Sequence, residues 1–270
     1  YSITIDGDMT DWDSNDGGYD GSQLAFHGTG YFNGQWIYKG QASDQRTDLP
    51  NNTDNDITEI RIGTDATYLY LAVVMQNIEN GGDFVHICLS IDNDQNNSDL
   101  ALNWIGDDSQ TSLGSANQFA ERNITIHDVT SGIGTNLQFE LFADDGSSWY
   151  APPTSGYSVS VSTTNEVLEA RIALADLNIT STSTIGVSLA TFINGNNGYN
   201  NDVDATQDIS GSSDAIDVMT PGAASSTNAW FRDLSDGNVG SFAIIDLSQS
   251  PLPVELTSFS AAVIGKDVKL

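Results

Sequence analysis

Hydrophobic positions in this chain recur mostly at every second residue, in short runs separated by clusters of Gly, Asn, Asp and Ser. Strands are predicted at "YSITI" (1–5), "ITEIRIG" (57–63), "TYLYLAVVMQ" (67–76), "FVHICLSI" (84–91), "LQFELFA" (137–143), "YSVSVST" (157–163), "EVLEARI" (166–172), "TIGVSLATFI" (184–193) and "GSFAIIDL" (240–247). A period of two sends alternate side chains to opposite faces of a sheet, and β-branched residues favour that geometry. Helical periodicity is nearly absent; "ALADL" (173–177) offers a single turn. Many short strands with polar turns predict an all-β fold, an antiparallel β-sandwich of jelly-roll or immunoglobulin-like kind. The loops at 13–23, 43–56, 92–99 and 194–217 are long, rich in Asp and Asn and poor in apolar residues, so a tie other than a hydrophobic core is expected to order them.

A Pro-rich joint, "PLP", divides the chain into a sandwich over 1–249 and a strand-forming extension over 250–270. In the extension Val254 and Leu256 point one way, and the phase then slips so that Phe259, Ala261 and Val263 share a face. A bulge near Thr257–Ser258 accounts for the slip. A lone hairpin has no core of its own, so this tail is expected to donate a strand to an exposed sheet edge of a neighbouring copy.

Charge narrows the partners. Among 270 residues, 8 are Lys or Arg and 37 are Asp or Glu, a formal charge of −29. Such a balance excludes nucleic acid and anionic membrane surfaces, which need basic residues. It favours divalent cations, neutral partners such as polysaccharide, or copies of itself once cations screen the repulsion. No apolar stretch approaches the roughly 18 residues of a membrane-spanning helix. A start at Tyr1 without Met fits an exported protein from which a signal peptide has been removed. The single cysteine, Cys88, sits inside a strand and is expected to be buried and unpaired.

The acidic turns are the candidate chemistry. In "LSIDNDQNNSDL", Asp92, Asp94 and Asn96 alternate so that three oxygen-bearing side chains share one side of a tight turn, and Asp99 can close the shell. Calcium takes six to eight oxygens in irregular geometry, which suits such a loop. An EF-hand is excluded, because Asn103 stands where the bidentate Glu belongs and no helix flanks the loop. Further calcium ligands are expected at Asp6, Asp8 and Asp11, with Asp13 beside them, and at Asp202, Asp204 and Asp208; Asp214 and Asp217 read as contributors to a shared site. The competing reading of every one of these is a solvated turn capped by its own carboxylates. Aromatic residues near loops form a second class: Trp36 and Tyr38 in "NGQWIY" and Trp149 and Tyr150 in "SSWYAPP" are the candidate sugar platform, or alternatively a protein interface, whereas Trp12 is expected in the core. Catalysis is not expected. His27, His86 and His127 are far apart along the chain, and no nucleophile elbow, phosphate loop or zinc motif is present.

The motifs "ITIDGDMTDWD", "DATYLYLAVVMQN", "FVHICLSIDNDQN", "EVLEARIALADLNI" and "DAIDVM" occur in an order that resembles the family-9-like carbohydrate-binding modules and their DOMON-related relatives, among them the C-terminal module of glucodextranase. Ala173 departs from that pattern, which often has Pro there. The resemblance implies an antiparallel β-sandwich, bound calcium and attachment to surface or glycan-degrading proteins. The tail "LPVELTSFSA" resembles the start of the fibronectin-like segment before type IX secretion sorting domains in Bacteroidetes, which implies export and an extracellular location. Two readings stay open: a calcium-loaded structural protein that assembles head-to-tail into a filament or layer, and a calcium-dependent carbohydrate-binding module of a secreted enzyme or adhesin.

Overall fold

Alternating β-branched and aromatic residues build two antiparallel sheets in the computed structural model. It describes residues 3–12, 28–32, 34–40, 42–43, 45, 56–78, 86–94, 102, 104–105, 120–128, 137–149, 152–192, 215–219, 242–249, 262–264 and 267–269. The first sheet is formed by β1 (Gly28–Phe32), β2 (Gln35–Lys39), β3 (Ile57–Thr64), β4 (Tyr68–Met75), β9 (Ser158–Ser162) and β10 (Val167–Ala173), in the order β1-β2-β3-β4-β10-β9. The second contains β5 (His86–Asp92), β6 (Arg122–Asp128), β7 (Leu137–Ala143), β8 (Ser148–Trp149), β11 (Thr184–Phe192), β12 (Ala215–Val218) and β13 (Ala243–Asp246). Its order is β12-β11-β5-β6-β7-β8, and β13 lies beside β12 along the same flank of β11. Among the described residues a separate hairpin, β14 (Ala262–Ile264) with β15 (Asp267–Lys269), pairs with neither sheet. This is an all-β, sandwich-like fold.

The two inner faces make the main core. Leu69, Leu71 and Val73 of β4 and Leu168, Ala170 and Ile172 of β10 meet Ile87, Leu89 and Ile91 of β5, Ile124 and Ile126 of β6, and Val187 and Leu189 of β11. Each large aliphatic side chain buried there contributes roughly 1.5–3 kcal/mol relative to exposure. Hydrogen bonds tie the two layers together along the flank of β12 and β13: Asp217 Oδ2 on β12 accepts from the Ile57 amide on β3 (2.8 Å), and Trp36 Nε1 on β2 donates to the Asp246 carbonyl on β13 (3.3 Å).

Both sheets are also covered on their outer faces. Over the first sheet lies the N-terminal segment, where Ile3 and Trp12 pack on Tyr70 and Ala72. The described part of the 1–5 run is therefore not a strand; packing and side-chain hydrogen bonds hold it instead of a ladder. The outer face of the second sheet is polar and yet buried: His86, Ser90, Asn123, Thr125, His127 and Ser188 are all fully enclosed. His86 and His127 are cross-strand neighbours with ring centroids 5.5 Å apart, and their four ring nitrogens have no hydrogen-bond partner. Burial depresses both imidazoles below the usual histidine range, His127 to about 4, so both are neutral at pH 7. Cys88 lies on this face as a buried thiol.

Candidate functional site

Antiparallel pairing of β5 with β6 brings the C-terminal end of one strand against the N-terminal end of the other, with Ile91 opposite Arg122. That juxtaposition places Asp92 and Asp94, just leaving β5, beside Glu121, just entering β6. Ligand oxygens of the three carboxylates lie within 4.8 Å of one another. Asp92 is buried, Asp94 is exposed, and Glu121 is only 4% exposed. The Glu121 amide donates to the Ile91 carbonyl (3.0 Å), while Glu121 Oε2 accepts from the Asn93 amide (2.7 Å). The other carboxylate oxygen, Oε1, is buried without any hydrogen-bond partner. Asn93 is pinned separately, its Nδ2 donating to the Leu177 carbonyl (3.2 Å). Gly186 on β11 lies opposite Asp92, and a Cβ there would sit 3.2 Å from the Asp92 Cβ, so glycine leaves room for this carboxylate.

Electrostatics make the cluster costly as it stands. Burial raises the Glu121 carboxyl to about 7, with Asp92 and Asp94 adding to the rise by like-charge repulsion; the Asn93 hydrogen bond opposes it. Arg122 does not relieve it: its guanidinium donates to the Glu121 and Asp176 carbonyls and pairs with Asp144 (2.9 Å). An oxygen with no donor, buried beside two more carboxylates, leaves the ionised form of Glu121 uncompensated.

The other predicted acids are placed differently. Asp6, Asp8 and Asp11 are occupied by the turn itself: Asp6 Oδ1 accepts from the Asp8 amide (3.0 Å), Asp8 Oδ1 from Thr10 (2.8 Å) and Asp11 Oδ2 from Thr4 (2.6 Å). The turn is gathered around Glu169 of β10, a residue the sequence reading did not single out. Its carboxylate accepts from the amides of Asp6 (3.0 Å), Gly7 (2.7 Å) and Asp8 (3.3 Å) through Oε2, and from Trp12 Nε1 (2.7 Å) through Oε1. Trp12 is accordingly buried, as expected. Asp217 bonds Ile57 and its own neighbour Val218 (2.8 Å). Asn96, Asp99, Asp202, Asp204, Asp208, Asp13 and Asp214 lie outside the described residues.

Of the aromatic platform, Tyr38 is 3% exposed within the main core, a correction to the sugar-contact reading, because a ring enclosed on both faces cannot stack on a ligand. Its inward position follows from the two-residue period of β2. Trp36 and Trp149 are half-buried against the core, and Tyr150 lies outside the described residues. A groove of about 420 Å³ opens elsewhere, lined by Thr67, Tyr68, Thr154, Gly156, Thr180 and Ser181 among others, none of them charged. The Arg171 guanidinium lies over the Tyr68 ring at 5.0 Å. Of the assembly residues, Val263 belongs to β14, while Val254, Leu256, Phe259 and Ala261 lie outside the described residues. Among the described residues no helix is long and apolar enough to cross a membrane.

In comparison with known proteins, no family model matches the chain and no curated protein matches it.

Proposed function

We propose that this chain is a non-catalytic, calcium-binding structural protein of the cell exterior, whose copies assemble head-to-tail into a surface filament or layer through the C-terminal tail. The observation that carries the reading is the orphaned Oε1 of buried Glu121, held with Asp92 and Asp94 within the span of one coordination shell. Three hard anionic oxygens, with no His or Cys in the group, suit calcium better than zinc. Asp92, Asp94 and Glu121 hold the ion, and Asn96 and Asp99 follow in the same loop as further donors. Bound calcium relieves repulsion at the mouth of the β5–β6 pair and lowers the net charge that opposes contact between copies. Assembly is supported by the hairpin β14–β15, which pairs with neither sheet, and by two of the eight basic residues, Lys266 and Lys269, lying in the tail.

Calorimetric titration with calcium, together with melting curves in calcium and in chelator, tests the binding half. A chelator that leaves the melting temperature unchanged ends it. Light scattering of the full chain and of residues 1–250 in calcium tests the assembly half: large particles formed equally by both would remove the tail from the mechanism. A second reading, binding of a neutral polysaccharide, is favoured by the groove beside Tyr68, whose hydroxyl-bearing, uncharged lining matches a polyhydroxylated ligand. Gly156→Trp would fill that groove, and polysaccharide binding that survives it would place the sugar elsewhere or nowhere.

A further inference from the structure

Among the described residues the edge strand β9 pairs with β10 alone, so half of its backbone N–H and C=O groups face away from the sheet. Sheet edges are ordinarily blunted by Lys, Pro or a bulge. β9 has none of these: it reads Ser158-Val159-Ser160-Val161-Ser162, and no charged residue occurs between Asp145 and Glu166. Its register with β10 is unbroken from Ser158 to Ser162. Val159 and Val161 pack against the main core, which leaves Ser158, Ser160 and Ser162 on the outer face. The five residues are also a palindrome. Laid antiparallel against itself about Ser160, the strand sets Ser160 opposite Ser160, Val159 opposite Val161 and Ser158 opposite Ser162. Every pair then matches in size and polarity, and no like charges meet.

We infer that β9 is a self-complementary docking edge, and that its partner is the same strand of a second copy, related by a twofold axis through Ser160. The contact joins two six-stranded sheets into one and extends the valine rows of both cores across the junction. The strand's own lack of charge selects the occupant: two chains of −29 repel over most approaches, whereas β9 itself sets no like charges in register. The nearest acids on the outer face are Glu169, opposite Ser160 and engaged by four N–H groups, and Asp6 and Asp8, which flank Gly7 beside Ser162 and so lie at opposite ends of a twofold junction. The inference goes beyond the calcium reading and does not depend on it, since no residue of the carboxylate cluster is in β9.

The test is cross-linking by register in the full chain at about 0.15 M salt, where the Debye length is about 8 Å. Directly opposed residues of an antiparallel pair have Cα atoms about 4.5–5.5 Å apart, inside the range a disulfide spans. Ser160→Cys should therefore give a covalent dimer on mild oxidation. Ser158→Cys should not, because its two copies would lie four residues apart, roughly 14 Å; mixing it with Ser162→Cys should restore the cross-link. Cys88 is buried and adds no background. In chelator, which removes the calcium-dependent assembly, the unmodified chain should sediment as a dimer, and Ser160→Lys, which sets two ammonium groups face to face, should sediment as a monomer with an unchanged circular dichroism spectrum. A monomeric unmodified chain, or equal cross-linking by Ser158→Cys and Ser160→Cys, overturns the inference. So does a dimer that persists in Ser160→Lys, or one lost on removing residues 251–270, which would mark the tail as occupant. If Ser160→Lys fails to fold, the cysteine register series decides alone.

Discussion

Replacing Glu121 by Gln separates the cost of its charge from the use made of it. The carboxyl stands at about 7 in the folded chain against 4.5 for the unperturbed group. At about 1.36 kcal/mol per pKa unit, ionised Glu121 costs the calcium-free fold at most about 3 kcal/mol above pH 7. The sign follows from the raised value: the group's stabilising contribution is complete below pH 4.5 and is lost as pH rises through 7. Gln keeps the shape and can still accept from the Asn93 amide, but carries no charge. In chelator at pH 8, Glu121→Gln should therefore be more stable than the parent by about 1–3 kcal/mol, and the advantage should vanish near pH 4.5. For a chain of this size each kcal/mol corresponds to roughly 2–4 °C in melting temperature. In calcium the advantage should shrink or reverse, since saturation at 100 times the dissociation constant stabilises the parent by about 2.7 kcal/mol and the variant by less. Differential scanning calorimetry of both proteins from about pH 4.5 to 8, with and without calcium, reads this as a difference curve from which titrating groups not coupled to Glu121 cancel. A variant less stable than the parent in chelator at pH 8, or a difference that calcium does not change, would refute the reasoning.

Three further outcomes are expected. Glu169→Gln should destabilise the fold by roughly 2–4 kcal/mol, because an amide cannot accept from four N–H groups as a carboxylate does; hydrogen exchange at Asp6, Gly7 and Asp8 and a red shift of Trp12 fluorescence report the release of the N-terminal segment. Gly7→Ala should cost about 1–3 kcal/mol in chemical denaturation, since φ is +83° and the added Cβ would lie 2.9 Å from the Ser162 Cβ. The buried histidines have depressed pKa values, so the stability they permit is present above pH 6.5 and falls on acidification toward 4; His127→Phe should flatten that decline by up to about 3 kcal/mol at pH 4 and be neutral or stabilising at pH 7, as read by melts across the range.

Much of the sandwich was legible because most of its strands alternate an apolar face with a polar one. Of the strands predicted over 57–76, 84–91, 137–143, 157–173, 184–193 and 240–247, each has a counterpart. β6 escaped because "RNITIHD" shows only two apolar residues, Ile124 and Ile126; its other face is polar yet buried, a combination that reads as surface in sequence. The 1–5 run erred the other way: Ile3 is apolar for a contact with Trp12, not for a ladder. Asp92 and Asp94 were legible from spacing, but Glu121 was not, because only strand pairing brings it to them. The usable signal was weaker: a Glu directly ahead of an alternating segment that could pair with "FVHICLSI".

Acidic turns in this chain look alike in sequence and divide sharply by who donates to them. Hydrogen bonds from Thr4 hold the Asp11 carboxyl below its usual range, those from Ser147 do the same for Asp145, and those from Ser248 for Asp246. Each of these carboxylates is satisfied as an anion by its own turn and gains little from a metal. Glu121 runs in the opposite direction, pushed up by burial and by its acidic neighbours, with one oxygen lacking any donor. The same chemistry therefore has two outcomes: where backbone N–H groups converge, an Asp-rich turn is complete in itself, and where a strand end buries a carboxylate oxygen without a donor, as at Glu121 Oε1, the anion is left uncompensated. Spacing such as Asp-x-Asp cannot tell these apart, since "DGDMTD" and "DNDQNN" both contain it. Donor geometry can, and it sets the carboxylates at the mouth of β5 and β6 apart from those of the N-terminal turn.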